Sequence, residues 1–284
     1  MCGYYCLNSS FLYRKLKIHL LSPFIKIYTF KILHLDISQN PTLPITKPEV
    51  AVKNLVYAYP NQQPTLKGIS FDLKAGERVA LMGATGSGKS TLLENLIGLK
   101  QPLSGKVQIC GVDVEPKNLP KIRRHIGFTF QDANDQLFMP TILEDITFGP
   151  RNYGVSHADA KDKARKLLAD FGLEMYANRS AHELSGGQKR LVALATTLAL
   201  DPDILILDEP TNGLDPAWRR KLAQILLKLP VKVILIASHD LHWLGRVTQR
   251  ALAIADGRIE IDQDIQPLLQ NGEKLEAVGL PIDW

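Results

Sequence analysis

A glycine-rich loop that ends in lysine and serine is the feature of this sequence most typical of a binding site. The loop, GATGSGKS at residues 83–90, lies between the apolar run ERVALM and the helix-like STLLENLIGL. Glycines let the backbone curl so that its N–H groups face phosphate oxygens, while the lysine reaches terminal phosphates and the serine hydroxyl binds Mg²⁺. We therefore predict a phosphate loop for a nucleotide, with these binding residues: Gly83, Ala84, Thr85, Gly86, Ser87, Gly88, Lys89, Ser90 and Thr91.

A second glycine loop, LSGGQ at residues 184–188, precedes the apolar helix pattern LVALATTLAL. The start of a helix leaves backbone N–H groups without intrahelical partners and carries the positive end of the helix dipole, so it favours a phosphate. Two such loops in one chain predict two phosphates, or one phosphate approached from two sides. The candidate residues of the second loop are Ser185, Gly186, Gly187 and Gln188.

Polar side chains follow three apolar runs that read as strands. ILILDE supplies Asp208 and Glu209, VILIASH supplies His239, and HIGFTFQ supplies Gln131. Ligands of open α/β sheets bind at the carboxyl edge of the strands, where these residues should meet. Adjacent strand residues point to opposite sides, so Asp208 suits the metal shell, directly or through water, and Glu209 suits a base that orients the attacking water. Alternatively, the two carboxylates are only solvated ends of a strand, and His239 and Gln131 have only a structural role.

An aromatic residue, Tyr59, comes before the phosphate loop at the end of a predicted strand. Its ring could stack on a nucleobase, or it could be a half-buried aromatic of the sheet. Spacing alone gives the two interpretations equal weight. Tyr57 lies two residues earlier and should face the same side.

The elements that must position these residues follow from the hydrophobic pattern. VAVKNLVYAYP, TLKGISFDLKAGE and GKVQICGVDV predict a small antiparallel sheet. From ERVALMG to VKVILIASH, near-continuous apolar strands alternate with helices, which predicts an α/β fold with a parallel sheet covered on both faces. Helical patches are predicted in DANDQLFMPTILEDITFGPRNYGV and a helix in HADAKDKARKLLADFGL. The chain should close with a hairpin that turns at Asp256 and Gly257, and a short helical tail.

Composition bounds the class of protein. The 284 residues are 45% hydrophobic and 22% charged, as in an ordinary globular protein. The net charge of +5 lies in residues 1–47, and the remainder is neutral, so we expect no nucleic-acid partner. Three cysteines make no disulfide framework and indicate a reduced, cytosolic protein, and no Cys/His cluster completes a zinc site with the first two. The cysteines are Cys2, Cys6 and Cys110.

The basic segment of residues 1–47 has three interpretations: a surface-seeking segment, a targeting peptide, or an upstream extension that is not part of the working protein. Its longest apolar stretch, between Lys17 and Lys26, is far shorter than the ~20 residues of a membrane-spanning helix. We favour the third interpretation and expect this segment to be disordered or not native. A main domain is expected at residues 48–261, with a helical subdomain at about 132–185 and a short tail at 262–284.

The order of these motifs resembles the ATP-binding-cassette (ABC) ATPases, from the phosphate loop through LSGGQ, ILILDE and GLDP to His239. The resemblance implies a P-loop NTPase (RecA-like) core with an antiparallel β subdomain and a helical subdomain. In that family two cassettes dimerise head to tail, and the LSGGQ helix of one covers the nucleotide of the other. ATP would then be the substrate, and Ser185, Gly186 and Gly187 would grip the γ-phosphate of ATP on a partner chain.

The same resemblance implies roles for single residues. Tyr59 would stack on adenine, Asp215 would communicate across the dimer, and His239 would sense the γ-phosphate. Glu209, His239 and Gln131 would be catalytic, and Mg²⁺ would be held by Ser90, Gln131 and Asp208. Since one chain carries one copy of each motif, two sites require two chains. These would be a homodimer or a heterodimer with a paralogous ATPase.

A narrower resemblance comes from FQDANDQLFMPTILEDITFGPRNYG, which is similar to the ATPases of energy-coupling-factor importers and their cobalt and nickel relatives. It implies a peripheral subunit at the cytoplasmic face of the membrane, powering uptake of cobalt, nickel or a vitamin through a transmembrane coupling subunit and a substrate-binding membrane subunit. Leu137, Phe138 and Met139 would form an exposed docking patch, or else pack inside the helical subdomain. A soluble, non-transport ABC ATPase is the alternative, disfavoured because the sequence has no long heptad repeat and no second cassette.

Overall fold

A small antiparallel sheet opens the part of the chain that the computed structural model describes, residues 50–280. The expectations for residues 1–47 and for the last four residues of the tail lie outside this range. Its strands are β1 (Val50–Ala58), β2 (Pro64–Leu73), β4 (Ser104–Ile109) and β5 (Val112–Asp113). They lie in the order β2-β1-β4-β5, and every neighbouring pair is antiparallel, which confirms the small antiparallel sheet predicted from the alternating pattern.

A larger sheet of six strands positions the predicted site, in the order β10-β9-β3-β8-β7-β6. Five of its strands are parallel, and β10 pairs with β9 as the predicted hairpin. The near-continuous apolar runs become strands that are buried on both faces, which is why they lack alternation. The strands are β3 (Arg78–Met82), β6 (Ile126–Thr129), β7 (Ile204–Asp208), β8 (Val233–Ala237), β9 (Arg250–Ala255) and β10 (Arg258–Asp264).

Helices connect the strands and cover the larger sheet. Several begin at a capping side chain, such as Thr141, whose hydroxyl accepts the Glu144 N–H in a reciprocal capping box. The helices are α1 (Lys89–Leu96), α2 (Leu119–His125), α3 (Ile142–Asn152), α4 (His157–Asp170), α5 (Gly186–Leu198), α6 (Pro216–Lys228), α7 (Leu241–Val247), α8 (Ile265–Leu269) and α9 (Gly272–Ala277). Within residues 50–280, none is long and apolar enough to cross a membrane.

The core consists of two hydrophobic clusters on opposite faces of the larger sheet. Successive residues of β7 alternate between them: Ile204 and Ile206 join the cluster that contains α1 and the antiparallel sheet, whereas Leu205 and Leu207 join the cluster that contains α5. This alternation is the side-chain period of a strand. The arrangement confirms the predicted α/β fold, with a mainly parallel sheet covered on both faces and an antiparallel sheet beside it.

Candidate functional site

The phosphate loop leaves the carboxyl end of β3 and leads into α1. Gly83, Gly86 and Gly88 all have positive φ, at 151°, 82° and 106°, a conformation that side chains disfavour. Space is also limiting, because a Cβ on Gly83 would lie 2.4 Å from the Ile254 carbonyl oxygen. The backbone conformation therefore favours glycine at all three positions, and close packing also requires it at Gly83.

Lys89 is folded over the phosphate loop. Its Nζ donates hydrogen bonds to the carbonyl oxygens of Gly83, at 2.7 Å, and Ala84, at 3.0 Å. Burial lowers the pKa of Lys89, and the nearby carboxylates Glu209 and Asp208 oppose that effect. A buried ammonium held above a loop of backbone N–H groups is suited to binding an anion.

Asp208 ends β7 and is buried, with 5% of its surface exposed. One of its oxygens accepts a hydrogen bond from Ser90 at the start of α1, whereas its Oδ1 atom is buried without a partner. Burial raises the pKa of Asp208 to about 6 against the opposing effect of the Ser90 hydrogen bond. A carboxylate oxygen without a partner, next to a hydroxyl, is the kind of donor set that Mg²⁺ takes. These residues therefore fit the predicted metal.

Glu209 follows β7 directly and has a left-handed backbone, with φ of 46°. Its N–H donates to the Ala237 carbonyl at 2.8 Å, and its Oε2 atom lies 2.9 Å from Nδ1 of His239. The two adjacent carboxylates thus have different partners, but strand alternation is not the reason, because β7 ends at Asp208 and Glu209 has a left-handed backbone. A glutamate in this strained conformation is often found at functional sites. The His239 side chain is 61% exposed, so its ring is open to solvent beside a buried carboxylate.

Gln131 and His239 lie beyond their strands rather than at the last strand residue, which corrects the predicted strand ends. β6 ends at Thr129 and β8 at Ala237, although the Ser238 N–H still donates to the Leu81 carbonyl of β3 at 3.3 Å. Thr129 pairs with Leu207 of β7. Gln131 therefore follows β6 at the edge where Asp208 ends β7, and it is exposed.

Tyr59 comes directly after β1 and is tied to the phosphate-loop helix. Its hydroxyl lies 3.0 Å from the Thr91 hydroxyl and accepts a hydrogen bond from Lys100 at 3.0 Å. The Lys100 ammonium is also 4.4 Å from the centroid of the Tyr59 ring, and Tyr57 packs edge-on against it. Because the residue is only half-buried, part of the Tyr59 ring is accessible to a ligand.

The second glycine loop caps its own helix, α5. The Ser185 hydroxyl accepts the Gln188 N–H at 3.4 Å, and Gln188 Oε1 accepts the Ser185 N–H at 2.8 Å. Ser185 and Gly186 are exposed, whereas Gly187 is buried. Asp215, also exposed, caps α6 by accepting the Trp218 N–H at 2.9 Å. The loop thus presents a capped helix start to solvent.

A family model described as ABC transporter matches residues 66–212, which is more than half of the chain. The chain belongs to the ABC transporter ATPases. Its relatives include the energy-coupling factor transporter ATP-binding protein EcfA of Methanosphaera stadtmanae, 39% identical over 82% of this chain and 85% of that protein. EcfA of Methanothermobacter thermautotrophicus is 37% identical over 81% of this chain and 76% of that protein.

Solved structures give the same family. CbiO1 of Clostridium perfringens, part of the ABC transporter complex cbiONQ, aligns with a TM-score of 0.71 at 32% identity and covers 81% of this chain and 94% of its own. The ATP-binding cassette MJ0796, a dimer bound to ADP and Pi, aligns with a TM-score of 0.70 at 32% identity, covering 76% and 99%. The P-loop ABC fold is confirmed. This ABC transporter ATPase binds and hydrolyses ATP as the ATP-binding subunit of a transporter.

Two polar residues of the ABC ATPase site region were not found from the sequence. Arg190, two residues after the second glycine loop, donates from Nε to the Asn212 carbonyl at 2.9 Å. Burial lowers its pKa, and three acidic side chains, Asp132, Glu209 and Asp208, oppose that effect. The other residue is Gln136. The sequence KR directly after LSGGQ places a basic residue near the second glycine loop. The partner of Arg190 is a backbone carbonyl, however, and no residue pattern indicates such a contact.

Gln136 ties the segment after β6 to α5 of the ABC ATPase. Its amide nitrogen donates to the Ala193 carbonyl at 2.8 Å and lies 2.7 Å from the Thr196 hydroxyl. Its amide oxygen accepts the Phe130 N–H at 3.3 Å. One side chain thus links the residues next to Gln131 with the helix that carries the second glycine loop.

Of the two alternatives for the segment at residues 137–139, packing inside the protein holds for Leu137, which is buried in the core with only 7% of its surface exposed. Phe138 and Met139 are half-buried, and their N–H groups donate to Asp145 Oδ1 at 3.0 and 2.9 Å. The Phe138 ring packs edge-on against Phe148 at 5.0 Å. Asp145 fixes the backbone so that Leu137 enters the core, while the next two residues remain accessible in part.

Proposed function

We propose that this ATPase powers an importer that takes up a metal ion, cobalt or nickel, or a vitamin. The single observation that carries this proposal is the likeness to two energy-coupling factor ATP-binding proteins over most of both chains. The likeness to CbiO1, part of the cbiONQ complex, agrees with it. We further propose a location at the cytoplasmic face of the membrane, with a transmembrane coupling subunit and a substrate-binding membrane subunit as partners.

ATP would bind between Tyr59 and the phosphate loop. The exposed part of the Tyr59 ring would stack on adenine, and Lys89 would transfer its hydrogen bonds from the loop carbonyls to the terminal phosphates. Ser90, Asp208 and Gln131 would hold Mg²⁺, directly or through water, and the ion would neutralise charge on the β- and γ-phosphates. The unpartnered Asp208 oxygen supports this assignment.

Glu209 would orient the attacking water and accept its proton at the carboxylate. His239 holds Glu209 through Nδ1, which leaves Nε2 of the exposed ring to donate to the γ-phosphate. The role of His239 is therefore both to position the base and to sense the phosphate. Gln131 completes the catalytic set from the segment that follows the neighbouring strand, β6.

The second glycine loop would cover ATP on a second copy of this chain. Ser185, Gly186, Gly187 and Gln188 would contact the γ-phosphate there, and Asp215 would lie at the contact between the two chains. ATP would favour the closed dimer and hydrolysis the open one, and this shift in population would drive the membrane partner. We propose that the ATPase domain spans residues 48–261, with a helical subdomain at about 132–185 that contains α3 and α4.

Substitution of Glu209 by Gln tests the proposed mechanism. ATP binding should persist, hydrolysis should fall by roughly 10²- to 10⁴-fold as expected for loss of a general base, and the dimer should accumulate with ATP in light-scattering chromatography. Lys89→Ala is the matched control, because it should lose tight ATP binding and form no such dimer. Wild-type turnover in Glu209→Gln would refute the assignment. A dimer that forms only with a paralogous ATPase would replace the homodimer by a heterodimer.

Membrane attachment tests the importer. Met139→Asp should abolish partner-dependent co-fractionation with membranes and leave the ATPase rate of the purified chain unchanged, because Met139 is half-exposed and outside the ATP site. Met175→Asp changes a methionine that is 73% exposed elsewhere and should have no effect. Wild-type protein that never fractionates with membranes in its own cells would instead support a soluble, non-transport ATPase.

A further inference from the structure

A tryptophan covers one glycine of the second glycine loop. Gly187 lies inside the first turn of α5 and does not have the positive φ that would require glycine. Space requires it instead, because a Cβ at this position would lie 2.6 to 2.7 Å from three atoms of the Trp218 indole. The indole therefore sits directly on the backbone of α5, next to the exposed Ser185 and Gly186.

Trp218 is itself fixed from the turn at residues 212–215, the turn that ends with Asp215. The backbone N–H of Trp218 donates to Asp215 Oδ1 at 2.9 Å, and the Lys221 ammonium lies 5.0 Å from the centroid of the indole ring. The carboxylate predicted to lie at the dimer contact thus also sets the start of the helix that carries the indole.

Two arginines hold the same turn. Arg190, on α5, donates from Nε to the Asn212 carbonyl at 2.9 Å, and Arg219, on α6, donates from Nε to the Leu214 carbonyl at 3.0 Å. The Arg190 bond joins α5 to the turn, the Arg219 bond joins α6 to the turn, and the Trp218 indole on Gly187 joins α6 to α5.

We propose that Trp218 is a positioning residue that holds the second glycine loop and the turn at residues 212–215 together as one unit, and that this unit acts on ATP bound by the partner chain. The proposal rests on the shared site described under Proposed function. Two alternatives are that Trp218 only stabilises its own chain, or that it serves the ATP site of its own chain. Mixing differently damaged chains distinguishes both from the proposal, because a shared site allows one chain to complement the other.

The test mixes pairs of full-length variants, each of which should alone be at least tenfold less active than the wild type. Lys89→Ala damages the ATP site of its own chain, and Ser185→Arg damages the loop that serves the partner. A mixed dimer of these two keeps one complete site, so the pair is the reference and should recover ATPase activity. Trp218→Ala is then mixed with each. We expect Trp218→Ala alone to lose at least tenfold in turnover while binding ATP with unchanged affinity.

Activity should return to within twofold of the reference when Trp218→Ala is mixed with Lys89→Ala, and should not return with Ser185→Arg. The reverse pattern would place Trp218 in the site of its own chain and overturn the proposal. Recovery with neither variant, or wild-type turnover of Trp218→Ala alone, would also overturn it. If the reference pair itself fails, the shared site of the proposed function is wrong, and this inference falls with it.

A conservative variant separates positioning from the chemistry of the indole. Trp218→Phe keeps an aromatic face over Gly187 and should retain turnover within threefold of the wild type, at an unchanged ATP affinity. Its retention, together with the loss in Trp218→Ala, is the result expected for a ring that acts through the glycine backbone. A phenylalanine variant as inactive as the alanine variant would contradict that role.

Discussion

Replacing Glu209 by glycine should make the nucleotide-free protein more stable than replacing it by alanine. Glu209 has φ of 46°, and a left-handed conformation costs an L-residue about 1–2 kcal/mol. Alanine removes the carboxylate but keeps this strain, whereas glycine removes both. Glycine also gives the unfolded chain more conformational entropy, which lowers the free energy of unfolding by about 0.4–1 kcal/mol. The net difference should therefore be about 1 kcal/mol in favour of glycine.

Calorimetry of the two variants without nucleotide measures this difference. For a protein of this size, about 1 kcal/mol corresponds to a melting temperature about 2 °C higher for Glu209→Gly than for Glu209→Ala. Both variants should lose hydrolysis by roughly 10²- to 10⁴-fold, so stability and activity would change independently. A glycine variant that melts at or below the temperature of the alanine variant would show that the backbone at this position stores no strain.

Three further predictions concern the loop, the tyrosine and the buried acid of α3. Burial raises the pKa of Asp145 to about 7, so the stability of the wild type falls as pH rises through that value and the buried carboxyl loses its proton. Asp145→Asn has no such proton to lose, so its free energy of unfolding should rise relative to the wild type by a few kcal/mol between pH 5 and pH 8. Urea-unfolding free energies of the two proteins that run parallel with pH would contradict this. Lys100→Met should weaken ATP binding two- to fivefold, since a cation over a ring contributes about 0.5–1 kcal/mol, whereas the exposed Lys53→Met should not; titration calorimetry decides. Gly83→Ala should lower the urea midpoint more than Gly86→Ala, because only the first meets a carbonyl oxygen; equal midpoints would argue against the steric reason.

The strands and the phosphate loop were predictable because their signals are local. The apolar runs, the glycine spacing and the turn at Asp256 each depend on neighbouring residues, and the structure agrees with them. Even there, β8 ends at Ala237 with the last apolar residue of its run, two residues before His239, the residue predicted to end the strand.

Contacts between distant segments could not be read from the sequence. Lys100 meets Tyr59 across 41 residues, and nothing in its local pattern distinguishes it from a surface lysine. Leu137 could be exposed or buried by its sequence alone, because it lies among both polar and apolar residues. In the structure Asp145 accepts the N–H groups of Phe138 and Met139, and Leu137 is buried. Such outcomes depend on which segments pack together.

Lys89 has a consequence for nucleotide exchange. Its ammonium holds two main-chain carbonyls of the loop, so the lysine itself fixes the shape of the loop. A triphosphate that binds to this loop would therefore have little of the backbone to order, which lowers the entropy cost of binding. After product release, we expect the same lysine to return to these carbonyls without any rebuilding of the chain.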